Sequence, residues 1–200
     1  MANLDLNIFD ANIEELAPAV ARWEGGYVND PLDRGGATNM GVTIGTWKLV
    51  GHDKNNDGVI DEKDIRILSK EDFKFVLQKY WDKWKADEIK SQSVANILVD
   101  WYWMSGSHGI VIPQRLLGVV PDGIVGPLTI AAVNNSEPKR LFDTIKNARI
   151  KFYNDLVSTS IRNYEKRIGR KSTQSEQLRN TQMKYYKGWI NRLNSFKFSV

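Results

Sequence analysis

The stretch RWEGGYVNDPLDRGGATNMGVTIGTW, residues 22–47, gathers Glu24, Asp30 and Asp33 among six glycines, with aromatics near both ends. A carboxylic acid beside an apolar neighbour such as Trp23 is the kind of group that keeps a proton to deliver to a leaving oxygen. Glycosidic bonds are broken in this way: one acid protonates the leaving oxygen while a second group activates water or supports an oxocarbenium-like transition state. Glu24 fits the first role, and the glycines leave room for a sugar chain beside the backbone. The plainer reading of Glu24 is a surface ion pair at a helix end. For Asp30 and Asp33 it is a turn fixed by Asx hydrogen bonds.

A second constellation lies at DKNNDGVIDEKD. Asp53, Asn55 and Asp57 occupy the first, third and fifth places, Gly58 the sixth, Val59 the seventh, Asp61 the ninth and Asp64 the twelfth. That is the spacing of an EF-hand-type loop, in which alternate side chains and one backbone carbonyl surround Ca²⁺ and glycine permits the sharp turn. Asp64 replaces the longer Glu usual at the last place, which shortens that ligand. The expectation is a structural Ca²⁺ and no metal in the chemistry; the alternative is a polar turn.

Other chemistries are excluded by residue counts. The 200-residue chain has no cysteine and only two histidines, His52 and His108, 56 positions apart, so thiolate sites and three-histidine zinc sites cannot form. No G-x-S-x-G elbow is present. A net charge of +4 suits attraction to an anionic polymer, but no RNP-like motif or dense Arg/Lys helix points to nucleic acid. No apolar run approaches the ~20 residues of a membrane span, and the acidic start MANLDLNIFDANIEELAPAV does not read as a secretory signal. The expectation is a monomer made in the cytoplasm that reaches an external substrate only after release through a separate pore, holin-type, or by non-classical export.

Helices must position these groups. Ile13, Leu16 and Val20 recur at helical spacing after Asp10 or Asn12 as N-cap, predicting a helix that ends near Gly25, with Pro18 inside it. GVTIG is the one plausible strand. Ser69 and Asp72 form a capping-box pattern ahead of the apolar face Phe73, Val76, Leu77, Tyr80, Trp81 and Trp84. SVANILVDWYWMSG predicts a helix buried on several sides, so Asp100 is a carboxylate in dry surroundings, either paired or functional. Gly126-Pro127 opens a short helix, Ser136 and Pro138 a long one, and 174–195 a last one, with RIGRKSTQSEQ as a polar linker. Tyr27 and Trp101 are placed to stack on sugar rings or to fill the core. The fold expected is mainly α, in two closely packed lobes, 1–90 and 91–200, with at most a short hairpin.

WEGGYVNDPLDRGGATNMGVT closely resembles the signature of glycoside hydrolase family 108, bacterial and phage N-acetylmuramidases of the lysozyme-like superfamily. VANILVDWYWMSG resembles that family's helix ending in a small-residue turn, DGIVGPLTIAAVN its peptidoglycan-binding segment, and KGWINRL its C-terminal Gly-Trp-x-x-Arg. The resemblance implies a lysozyme-like fold and hydrolysis of peptidoglycan between N-acetylmuramic acid and N-acetylglucosamine, with Glu24 as catalytic acid. Phage-type lysozymes, more distantly similar, place an Asp nine residues after the Glu and then a Thr before Ile-Gly; Asp33 matches that spacing. Thr43 precedes Ile-Gly but falls ten residues after Asp33, where the phage pattern is shorter, so Thr38 competes with it and Asp30 with Asp33. Tyr27, Asp30, Thr38, Asp100 and Trp101 are then expected at the substrate. The insertion at 51–66 departs from the family pattern and is expected only to decorate the fold. Two other readings stay open: a lytic transglycosylase using the same Glu, and a non-catalytic wall-binding or calcium-binding protein.

Overall fold

The computed structural model describes residues 10–29 and 37–199. The chain divides into two compact units, Met1–Lys90 and Ser91–Val200. Among the described residues there are ten α-helices and one two-stranded sheet, which is the mainly helical, lysozyme-like class expected. No helix among them is long and apolar enough to cross a membrane.

In the first unit, α1 (Ile13–Ala21) starts at Asn12, whose side chain accepts from the Glu14 N–H at 2.9 Å. It buries Ile13, Leu16, Ala17 and Val20 on one face. Helical bonding stops earlier than Gly25: after Ala21 the chain tightens into i→i+3 bonds, Trp23 N–H to Val20 O (2.9 Å) and Glu24 N–H to Ala21 O (3.3 Å). Strand β1 (Thr38–Asn39) pairs antiparallel with β2 (Val42–Thr43), and the expected strand GVTIG is cut short because Ile44 and Gly45 open α2 (Ile44–Val50). Trp47 of α2 is fully buried, and its indole N–H donates to His52 O at 2.9 Å. A Cβ on Gly51 would sit 2.2 Å from the Trp47 ring, so glycine is required at that turn. Then come α3 (Glu62–Arg66) and α4 (Lys70–Lys83), the latter opened by the expected Ser69/Asp72 capping box. α4 packs on α1 and buries Phe73, Val76, Leu77 and Trp81, each burial stabilising by roughly 1.5–3 kcal/mol.

The second unit is built around α5 (Gln92–Ser105), in which Val94 to Trp101 are buried except for half-buried Asn96. Helix α6 (His108–Leu116) folds back on α5 through Gly109, where a Cβ would meet the Tyr102 backbone nitrogen at 2.4 Å. Sequence periodicity did not predict α6. Helix α7 (Pro127–Asn135) carries proline in its first turn, as expected, and α8 (Pro138–Ile168) runs for 31 residues into what read as a polar linker. What remains of that linker is fixed: Glu165 accepts from the Ser172 N–H and hydroxyl, both at 3.0 Å, and Thr173 with Glu176 forms a capping box. The single last helix expected over 174–195 is two, α9 (Gln174–Asn180) and α10 (Met183–Ser195). Thr181 breaks it by adopting extended backbone and donating its hydroxyl to Gln177 O at 2.7 Å, a side-chain bond that competes with helix continuation.

Candidate active site

Glu24 is half-buried one turn past the end of α1. The residue after it is fixed by a long-range bond, because Gly25 O accepts from the Met40 N–H at 3.0 Å. Met40 and Gly41 form the two-residue turn of the hairpin, with φ of 48° and 73°, the left-handed pair that matches strand twist. Met40 is therefore held in a conformation that costs a non-glycine residue about 1 kcal/mol, and its amide ties the hairpin to the Glu24 segment. Val28 adds a bridge to the same hairpin, exchanging N–H···O bonds with Thr38 at 2.7 and 2.8 Å.

Register decides which face the threonines share. Thr38 lies directly opposite Thr43, and Asn39 opposite Val42. The first pair is half-buried and the second buried, so Thr38 and Thr43 stand side by side on the more open face of the ribbon. Thr43 also caps α2, its hydroxyl oxygen accepting from the Thr46 N–H at 3.1 Å. Asp30 and Asp33 lie outside the described residues.

Helix α3, the exit of the 51–66 insertion, grips both shoulders of this segment. Arg66 lies over the Tyr27 ring at 4.5 Å and donates to its hydroxyl at 3.4 Å. Asn29 donates to Glu62 Oε2 at 2.5 Å, and the buried Asn39 side chain donates to Ile65 O at 2.9 Å. The insertion thus braces the Glu24 segment from outside. Asn29, Asn39, Met40, Glu62 and Arg66 were not singled out by their sequence, since no local pattern announces contacts between residues 25–40 and 62–66.

The loop preceding α3 is shaped by hydrogen bonds. Asp53 Oδ2 accepts from the Gly58 N–H at 2.7 Å, while Asp53 Oδ1 is buried without a partner among the described residues. Asn55 and Asp57 each accept from the N–H two residues on, at 2.9 and 3.1 Å. Val59 follows at an exposed position after Asn56 and Gly58 with φ of 59° and 90°. Asp61 caps α3, and Lys63 pairs with Asp57 at 2.8 Å. Asp64 is fully buried and accepts from the N–H groups of Lys54 (2.7 Å), Asn55 (3.3 Å) and Asp61 (2.8 Å). Burial pushes its pKa up, but these three backbone donors outweigh that and hold it below the usual carboxylate value. Among the described residues, no three acidic or histidine side chains converge as a ready metal cluster.

Asp100 and Trp101, expected at the substrate, lie instead inside the second unit, both with no exposed surface. Asp100 Oδ1 accepts from Arg192 Nε (2.9 Å) and Nη2 (2.7 Å), and Oδ2 forms an ion pair with Arg149 Nη2 at 2.7 Å. Arg149 in turn donates to the Tyr153 hydroxyl at 2.8 Å. This carboxylate joins α5, α8 and α10 and has no route to a ligand. Trp101 packs its ring against Phe152 at 6.1 Å. The DGIVGPLT segment is organised by buried Gln114, which donates to Asp122 Oδ1 and Ile124 O at 3.0 Å and accepts from the Gly123 N–H at 2.9 Å.

Comparison with known proteins bears on both units. Residues 17–106 match the family described as Glycosyl hydrolase 108, a match that takes in α5. Residues 108–194 match the family described as Predicted Peptidoglycan domain. The fold is similar to a solved structure titled "Structure of Brucella abortus SagA", with a TM-score of 0.61 and 24% identity over 92% of this chain and 94% of that one. No curated protein matches the chain.

Proposed function

We propose that this chain, whose residues 17–106 match glycosyl hydrolase family 108 and whose residues 108–194 match a peptidoglycan domain, cleaves peptidoglycan between N-acetylmuramic acid and N-acetylglucosamine with Glu24 as general acid. The observation that carries the reading is the Gly25–Met40 bond, which seats the residue next to Glu24 on the turn of the ribbon bearing Thr38 and Thr43. In this reading Glu24 gives its proton to the glycosidic oxygen as the C–O bond breaks, and positive charge develops at the muramic anomeric carbon. Water adds there, oriented by Thr38 and Thr43, and loses its proton to Asp33 or Asp30. Tyr27, braced by Arg66, borders the sugar path.

Structural Ca²⁺ in the 53–64 loop belongs to the same reading. Its ligands are Asp53, Asn55, Asp57, the Val59 carbonyl, Asp61 and Asp64, and the ion takes no part in hydrolysis. Support comes from the spacing and from Asp53 Oδ1, unpartnered among the described residues. Binding requires Lys63 to leave Asp57 and the buried Asp64 carboxylate to give up backbone N–H bonds in favour of the ion. Calorimetry on chelator-treated protein checks this, and no heat at millimolar Ca²⁺ removes the ion.

The deciding experiment is digestion of purified peptidoglycan by wild type and by Glu24→Gln, nearly isosteric but unable to donate the proton. Wild type should release fragments with new muramic reducing ends, and Glu24→Gln should release none while melting close to wild type. Fragments lighter by one water identify a transglycosylase. Undiminished release by Glu24→Gln refutes the assignment.

A further inference from the structure

Beyond Val157, α8 presents Ser160, Asn163, Tyr164 and Arg167 along one stripe, because residues three and four apart share a helix face. The junction of α9 and α10 runs opposite. Two hydrogen bonds fix this wall to the helix: Asn180 Nδ2 donates to the Tyr164 hydroxyl at 3.3 Å, and the Gln182 N–H donates to Ser160 Oγ at 3.0 Å. Between them lies a groove of about 560 Å³, within the range of small-ligand sites.

The lining chemistry narrows the occupant. Carboxamides come from Asn163, Asn180 and Gln182, hydroxyls from Thr159, Ser160 and Tyr164, one aliphatic side chain from Leu156, and the one charged lining residue among the described residues is Arg167. The Arg167 guanidinium rests over the Tyr164 ring at 5.2 Å, whereas the neighbouring Arg170 and Lys171 are neutralised by Glu176 and Glu165. A polyanion would require several cations, and an apolar peptide would require more aliphatic side chains than Leu156 alone. Amide and hydroxyl groups around one aromatic face, with a single guanidinium fork at the end, match a ligand with N-acetyl groups, hydroxyls and one carboxylate.

We propose that this groove binds a muropeptide, its sugar amides held by Asn163, Asn180 and Gln182 against Tyr164, and a stem-peptide carboxylate paired with Arg167. The proposal deepens the peptidoglycan reading above and rests on it. Arg167 is then a specificity-determining residue that distinguishes free from amidated stems.

The test uses the full chain carrying Glu24→Gln, titrated calorimetrically with a soluble disaccharide muropeptide whose stem carboxylates are either free or amidated. In this background the free form should bind more tightly. Arg167→Gln should weaken the free form about tenfold and leave the amidated form unchanged, and Tyr164→Ala should weaken both. Thermal melts confirm that each variant is folded. If the unaltered chain sediments with sacculi while folded Arg167→Gln and Tyr164→Ala bind both muropeptides as tightly as their parent, the groove assignment falls and the wall reading stands. If the unaltered chain neither sediments nor binds muropeptides, both fall. Preference for inorganic polyphosphate over muropeptide, lost in Arg167→Gln, would reassign the groove to a phosphate polymer.

Discussion

Asp100→Asn isolates what the buried carboxylate does. The side chain keeps its shape but loses its charge, leaving the guanidiniums of Arg149 and Arg192, each 2.7 Å from an Asp100 oxygen, without a counter-ion in a region closed to water. Removing one partner of such a cluster costs about 3–5 kcal/mol, because the remaining charges cannot be rehydrated. For a chain of this size that is a fall in Tm of roughly 10–15 °C. A second variant separates charge from packing. Asp100→Leu, Arg149→Met and Arg192→Leu, combined with Tyr153→Phe so that no hydroxyl is orphaned, remove the whole network and should recover most of the lost stability. Calorimetric melting reads both, and digestion of peptidoglycan below the transition should proceed in folded Asp100→Asn at close to the wild-type rate. A wild-type Tm with abolished hydrolysis would refute the reasoning and return Asp100 to the substrate.

Three further outcomes follow from geometry. Asn39→Ala removes a buried bond to Ile65 O and should lower stability by about 1–3 kcal/mol, read by denaturant unfolding. Arg66→Ala releases Tyr27 and should lower kcat roughly tenfold with KM within about twofold, the signature of a displaced acid; Arg66→Lys should restore part of it, and a loss confined to KM would show that α3 serves binding instead. The α8–α9 link should open in acid. Glu165 is held down to about 2 chiefly by the Ser172 N–H, and Glu176 to about 2 chiefly by Arg170, against an ordinary value of 4.5. Depressed folded-state values mean that this stabilisation is complete above pH 4.5 and is lost as pH falls toward 2. Amide-exchange protection of Ser172 and Thr173, corrected for intrinsic rates, should decline over that window, and constant protection would contradict the assignment.

What could be read from sequence was local. The Ser69/Asp72 box, the apolar wrapping of α5 and the start of α7 at Pro127 depend on neighbours within a few residues. The break at Thr181 was hidden because α9 and α10 carry apolar residues in compatible phase, and the tail of α8 because a polar helix end resembles a linker. Asp100 was recognised as dry and as paired or functional, but its partners Arg149 and Arg192 lie 49 and 92 residues downstream. The role of the 51–66 insertion was missed for the same reason. It was expected only to decorate the fold, yet three of its exit-helix residues hold the segment around Glu24.

The length of α8 bears on how this protein can vary. One unbroken rod of 31 residues carries Arg149 and Tyr153 in the core and, further along, the stripe from Ser160 to Arg167. Adding one residue between Val157 and Ser160 turns everything beyond it by about 100°, pointing that stripe away from α9 and α10. Changes of seven or eleven residues misalign it by only about 20°. Such changes still slide the stripe about 10–16 Å along the axis, so length differences among relatives that keep the groove should be confined to the turn after Gly169.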